Sequence, residues 1–94
     1  MAIARVVSFE GVGADRMEEL RREISEGGPP DEIPAQEIIV MHDAAGEKSL
    51  VVLIFENEDD YRRGDEALNA MPAAETPGRR TSVARYDVIA RRTA

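Results

Sequence analysis

The stretch from Ser49 to Met71, SLVVLIFENEDDYRRGDEALNAM, constrains the fold more than any other part of the chain. Leu50 to Phe55 is an unbroken apolar run, β-branched or aromatic at Val51, Val52, Ile54 and Phe55, and too short for a buried helix. It reads as a central strand whose side chains are apolar on both faces, so both faces of its sheet require cover. Asn57 follows as a helix cap. Glu58, Asp59 and Asp60 then place negative charge where first-turn N–H groups and the helix dipole favour it. Tyr61, Gly64, Leu68 and Met71 share one face of that helix. A glycine inside a helix costs about 1 kcal/mol relative to alanine, so Gly64 predicts a close approach of helix to sheet. Pro72 stops the helix, because the residue before a proline is driven out of helical geometry.

The rest of the chain supplies partners for that unit. Ile3 to Phe9 alternates as a first strand, with Ile3, Arg5, Val7 and Phe9 on one face and Ala4, Val6 and Ser8 on the other. Glu10-Gly11-Val12-Gly13 is the turn out of it. Asp15 followed by Glu18 predicts a capping box, and Met17, Leu20 and Ile24 form the apolar stripe of a first helix that ends at Gly27-Gly28-Pro29-Pro30. Gln36 to His42 is a second strand, apolar on both faces. The six-residue link Asp43 to Lys48 suits a hairpin to the central strand. Ala73 to Arg80 reads as a loop in which Thr76-Pro77-Gly78 suits a type II turn. Thr81 to Ile89 is the last strand, and Ala90 to Ala94 a short tail.

Ninety-four residues suit a single domain with one core, near the small end of what a core can hold unaided. Aromatic side chains number four, Phe9, Phe55, Tyr61 and Tyr86, so that core is aliphatic or is completed by a partner subunit. The absence of cysteine excludes disulfides, thiolate catalysis and thiolate metal sites, and fits a cytoplasmic location. MAIARVVSFEG reads as a strand rather than a signal peptide, and no run approaches the length of a membrane span. A net charge of −7 opposes phosphate backbones and anionic lipid. Partners are therefore expected to include neither nucleic acid nor membrane, and Leu50 to Ile54 lacks the stacking aromatics of an RNA-binding sheet.

The element order strand, helix, strand, strand, helix, strand predicts an α+β, ferredoxin-like βαββαβ sandwich with both helices on one face of a four-stranded antiparallel sheet. The other face is left open, although the second and third strands are apolar there too. An apolar patch of that size marks an interface, and two such sheets packed face to face give a symmetric homodimer enclosing a barrel-like space. From Ile3 to Ile89 the chain resembles the dimeric α/β barrels that include the antibiotic-biosynthesis-monooxygenase-like and stress-responsive barrel families, with LVVLIFENEDDYRRGDEALNAM the most recognisable piece. The resemblance implies a dimeric barrel. Enzymes of those families include cofactor-independent oxygenases and haem-binding relatives. Their Trp-, His- and Asn-containing sites have no counterpart here, where Trp is missing and His42 is the one histidine. No cofactor and no metal is expected.

Several polar residues are candidates for a ligand site in the inter-sheet space. Arg5 shares a face with Val7 and Phe9, and Arg85 and Asp87 share one with Val83 and Ile89. A guanidinium buried under the helices is costly, which places these groups in the inter-sheet space. There the arginines can hold a carboxylate or enolate-like ligand, with Asp87 orienting one of them. The plainer alternative, a cross-strand Arg–Asp pair at a sheet edge, is the stronger. His42, beside Asp43, is a proton-transfer candidate or, more economically, a partly exposed strand-end residue. Tyr61 and Tyr86 offer phenols to a ligand, or pack their rings and bond at an edge. Gly11-Val12-Gly13 lacks the third glycine and the lysine of phosphate-binding loops, and Asp15 repels an anion there, so a tight turn is the better reading.

Three functions follow from these readings. The first is a homodimer that binds a small apolar or carboxylate-bearing molecule between its sheets. The second is a cofactor-independent oxygenase or isomerase in the same cavity, with His42, Arg5, Arg85 or Tyr86 polarising the substrate. The third is an amino-acid-binding regulatory module of the ACT type, which shares the element order.

Overall fold

A computed structural model of the chain describes residues 1–27, 33–71 and 77–93. The elements run β1 (Ile3–Glu10), α1 (Ala14–Gly27), β2 (Glu37–Asp43), β3 (Lys48–Phe55), α2 (Glu58–Asn69) and β4 (Arg79–Asp87). The four strands form one antiparallel sheet in the order β2-β3-β1-β4. This is the ferredoxin-like α+β topology, with β3 and β1 central as the two-faced apolar run requires. β4 begins two residues earlier than the sequence pattern indicates, at Arg79, because a bulge between Ser8 and Phe9 lets Arg80 and Arg79 pair with Phe9 and Glu10. The expected stop at Pro72 and residues 73–76 lie outside the described residues, as does the linker after Gly27 as far as 32. Pro77 and Gly78 are described, and the expected type II turn is corrected there, because Gly78 lacks the positive φ that such a turn needs at its second central residue.

The register separates the two faces. Ile3, Arg5, Val7 and Phe9 of β1 pair with Phe55, Leu53, Val51 and Ser49 of β3, and this set faces the helices. Under α2, Leu53 and Phe55 pack with Ile33 against Tyr61, Ala67 and Leu68. At the other end Val7, Phe9 and Val12 form a second cluster on which Met17 of α1 rests. α1 is the lighter cover, since none of its residues is fully buried. A groove of about 310 Å³ separates Met17 and Ile24 from Ile38 and Val40 of β2.

α2 forms where the sequence places it. The Asn57 carboxamide oxygen accepts from the Asp60 backbone N–H at 2.9 Å, and the three acidic residues occupy the first turn. Gly64 is the buried residue of this helix, and a β-carbon built there would overlap the Phe55 ring. Phe55 is fully buried and also meets Tyr61 edge to face at 5.7 Å. The helix-to-sheet approach inferred from Gly64 is thus made on one aromatic ring. α1 starts differently. It begins at Ala14, and the Met17 N–H bonds to the Gly13 carbonyl, which puts Asp15 inside the first turn rather than at the cap. Its expected box partner Glu18 is turned instead to Arg21, with contacts of 2.6 and 3.0 Å.

Gly64→Ala separates two opposed effects. Helix propensity alone favours alanine by about 1 kcal/mol, but forcing a methyl into the Phe55 ring costs about 1–3 kcal/mol. Equilibrium urea denaturation is expected to show net destabilisation, and a more stable variant would refute the close contact.

Candidate functional site

Arg5 lies opposite Arg85 across β1 and β4, so two like charges meet on the helix face of the sheet. Both are drawn to α2. Arg5 is 2 % exposed, and its guanidinium donates to Asp65 Oδ1 at 2.9 Å and to Asn69 Oδ1 at 3.1 Å. Asn69 in turn donates to Asp65 Oδ2 at 3.3 Å and accepts from Arg80 at 2.9 Å. Arg85 grips Glu58 in a bidentate pair, with contacts of 2.8 and 2.6 Å, and stacks over the Tyr61 ring at 5.0 Å. Glu58 and Asp65, seven residues apart, present two acids from one side of α2.

The placement of Arg5, Arg85 and Asp87 in the inter-sheet space is therefore corrected: all three belong to the helix side. The cost of burying Arg5 is met by Asp65 and Asn69 of α2, sixty and sixty-four residues away in sequence. Glu58, not Asp87, orients Arg85, and Asp87 lies exposed at the end of β4. The cross-strand Arg–Asp pair is replaced by an Arg–Arg pair with acids supplied from above. One sequence signal pointed this way. Ile3, Val7 and Phe9, which share a face with Arg5, are together bulkier and more apolar than Ala4, Val6 and Ser8 on the other face, which assigns their shared face to the core.

His42 also faces the helices. Its Nε2 lies 3.0 Å from the Val12 carbonyl oxygen, and because a carbonyl only accepts, Nε2 carries the proton. The Val12 N–H bonds to the Glu47 carbonyl at 2.8 Å, so both peptide groups flanking this buried side chain are held by the β2–β3 hairpin. Gly11 sits at φ +70°, a left-handed conformation that suits glycine. The turn is a packed corner, and its Val12 amide is already committed to a protein acceptor.

The open face carries different chemistry. Ala4, Val6 and Ser8 of β1 align with Ile54, Val52 and Leu50 of β3, with Ile39 and Met41 of β2, and with Tyr86, Ala84 and Ser82 of β4. Ile39, Met41 and Leu50 are 41 %, 46 % and 38 % exposed, and Tyr86 lies on the same face, also exposed. Of the sequence candidates, Tyr86 alone presents its side chain here. At one end of this face a hollow of about 460 Å³ is lined by Ser8, Glu10, Met41, Lys48, Leu50 and Thr81, among others.

The opposite end of the face is covered. The Val88 N–H bonds to the Ala2 carbonyl at 2.9 Å, and three residues later Arg91 meets Glu37 of β2 at 3.5 Å. β4 and β2 are opposite edges of the sheet, about 14 Å apart. The segment from Val88 to Arg91 thus reaches from the β4 edge toward β2, and it does so on the open side, the face of Glu37, Ala4 and Ile54, where Ala4 and Ile54 are only 7 % and 6 % exposed. By sequence pattern alone this segment is strand end and tail, since neither Arg91 nor Glu37 carries a local sign of the other.

Among the described residues no three His, Asp or Glu side chains converge as metal ligands, and no buried side-chain polar atom lacks a partner. No helix is long and apolar enough to cross a membrane among these residues. Comparison with family models, curated proteins and solved structures finds no match to this chain.

Two measurements probe the α2 anchorage. Asp65→Ala strands the buried Arg5 charge and is expected to cost about 3 kcal/mol. Arg5→Met leaves a carboxylate that reaches water and should cost less, so the opposite order in denaturation would refute the clamp. The Arg85 guanidinium holds the Glu58 carboxyl below its ordinary value of 4.5. That contribution to stability is complete above the ordinary value and is lost as pH falls through the lowered one. Carboxyl NMR titration should place the Glu58 midpoint below 4.5 in the wild type, moving upward in Arg85→Met.

Proposed function

We propose that this chain is one subunit of a homodimeric α/β barrel in which two open sheet faces meet and enclose a site for a small, predominantly apolar molecule. The observation that carries the reading is the segregation of Ile39, Met41 and Leu50, together with Val6, Val52 and Tyr86, onto the one sheet face that no helix covers. Contiguous exposed apolar groups of this kind favour an apolar occupant, and a second copy of the same face is self-complementary. The order of elements and the resemblance to dimeric α/β barrels support the same arrangement. The hollow beside Met41 and Leu50 supplies room that two flush sheets would lack.

The position of the arginines bears on the ligand. Arg5 and Arg85 are engaged by α2 on the far side of the sheet, so neither is offered to a carboxylate in the inter-sheet space. The polar groups facing that space include Ser8, Ser82, Thr81 and the Tyr86 phenol, with the charged groups Asp43, Lys48 and the Glu10–Arg79 pair gathered at the rim. This inventory favours binding of an apolar body over polarisation of an enolate, and so ranks the binding reading above the oxygenase or isomerase reading.

Native mass spectrometry at low micromolar concentration tests the proposal. The wild type is expected to run as a dimer, with retained small-molecule mass if the site is filled. Met41→Lys and Leu50→Lys together should give a folded monomer by circular dichroism. A wild-type monomer across the accessible concentration range would refute the paired-sheet reading.

A further inference from the structure

The sheet has two edges, and they are guarded unequally. β4 sets Arg79, Arg80 and Arg85 along one of them, and long charged side chains on an edge discourage the addition of a further strand. β2 is the other edge, with the sequence EIIVMHD. Its centre, Ile38 to Met41, is apolar and contains no lysine, arginine or proline. Among the described residues the β2 backbone is bonded by β3 alone, the Ser49 hydroxyl on the Met41 carbonyl included. An antiparallel strand turns alternate N–H and C=O groups away from its neighbour, so the outer side of β2 presents a row of backbone groups open to solvent.

The groove of about 310 Å³ between α1 and β2 runs beside this row. Ile38, Val40 and His42 line it from the strand, at every second position, and Met17 and Ile24 line it from the helix. A row of backbone donors and acceptors is matched by an extended chain. A groove alongside then receives every second side chain of that chain.

Charge narrows the occupant. α1 carries five acidic residues against three arginines, and β2 adds Glu37 and Asp43. Arg91 meets Glu37, which leaves this side of the molecule net negative, with Asp43 in no ion pair among the described residues. A second copy of β2 is a poor match. Antiparallel pairing over the full strand, centred on Val40, would set Glu37 against Asp43 of the copy at both ends.

We propose that β2 takes up an extended peptide segment of another protein as a fifth strand, with apolar side chains in the α1 groove and basic side chains on the opposite face. Apolar residues of the segment lie beside Ile38 and Val40, and basic ones reach Asp43. This surface lies at the sheet edge and on the helix side, so it does not depend on how the open face is used.

The probe is an end-capped octapeptide alternating valine and lysine, titrated into the isotope-labelled full chain and followed by amide NMR. Shifts are expected along β2 and on the Met17 and Ile24 side of α1, with weaker binding when every lysine is replaced by glutamate. Two backbone-methylated peptides supply the decisive comparison, one methylated at each valine nitrogen and one at each lysine nitrogen. Only one set of N–H groups can face β2, so one methylated peptide should lose about tenfold or more in affinity while the other binds much as the parent does. Equal binding by both would mean that no strand is added and would overturn the proposal. So would shifts confined to Val6, Val52 and Ser82 on the open face, no preference for lysine over glutamate, or no shift at millimolar peptide. β2 amides that move with protein concentration alone would assign the edge to a second copy and overturn it as well.

Discussion

The structure depends on how two facing arginines are neutralised. Arg5 and Arg85 occupy directly opposed positions on β1 and β4, an arrangement that left alone would push the central strand from its neighbour. Acids from α2 resolve the repulsion, Asp65 for the buried arginine and Glu58 for the exposed one. The two contacts are unequal in consequence. Arg85–Glu58 is open to solvent and serves mainly to orient side chains, whereas Arg5 has no access to water and needs Asp65 and Asn69 for β1 to keep its register. Between these anchors Tyr61 and the Gly64 gap fit around Phe55, so polar and apolar contacts fix the same helix position.

How far the sequence reveals this can be judged residue by residue. Local rules were enough for α2. Asn57, the acidic first turn and Gly64 each announce themselves within a few positions, and each does in the fold what its chemistry indicates. The six apolar residues ending at Phe55 likewise disclose a central strand. Strand alternation is less informative, because it says that Arg5, Val7 and Phe9 share a face without saying which face. The answer rested on Asp65, whose approach to Arg5 is a product of tertiary packing. His42 is a similar case. Its partner is a backbone carbonyl at Val12, and a carbonyl has no residue identity for a sequence pattern to show. The reach of Val88–Arg91 toward β2 was hidden for the same reason, since it rests on one long-range ion pair and on burial of Ala4 and Ile54.

The division of labour between the faces follows. Charged anchoring is concentrated on the helix side, where α2 supplies counter-charges, and the open side is left apolar except at its rim. A binding surface made this way selects on shape and apolar area more than on charge. Its hollow lies at the end of the sheet farthest from the Val88–Arg91 segment, about 13–20 Å along β1 from Ala4 at the ordinary rise per residue.

The modest burial of α1 has a consequence for motion. This helix has no fully buried residue, leaves a groove over Ile38 and Val40, and follows a turn gripped at Val12 by the β2–β3 hairpin. Free energies of local opening are lowest where buried apolar contact is sparse. α1 is accordingly the element that can detach while the sheet and α2 stay folded, hinged at a corner that remains fastened. Amide exchange in such a molecule would run fast along α1 and slowly at Val12, giving a loop residue longer-lived protection than the helix it introduces.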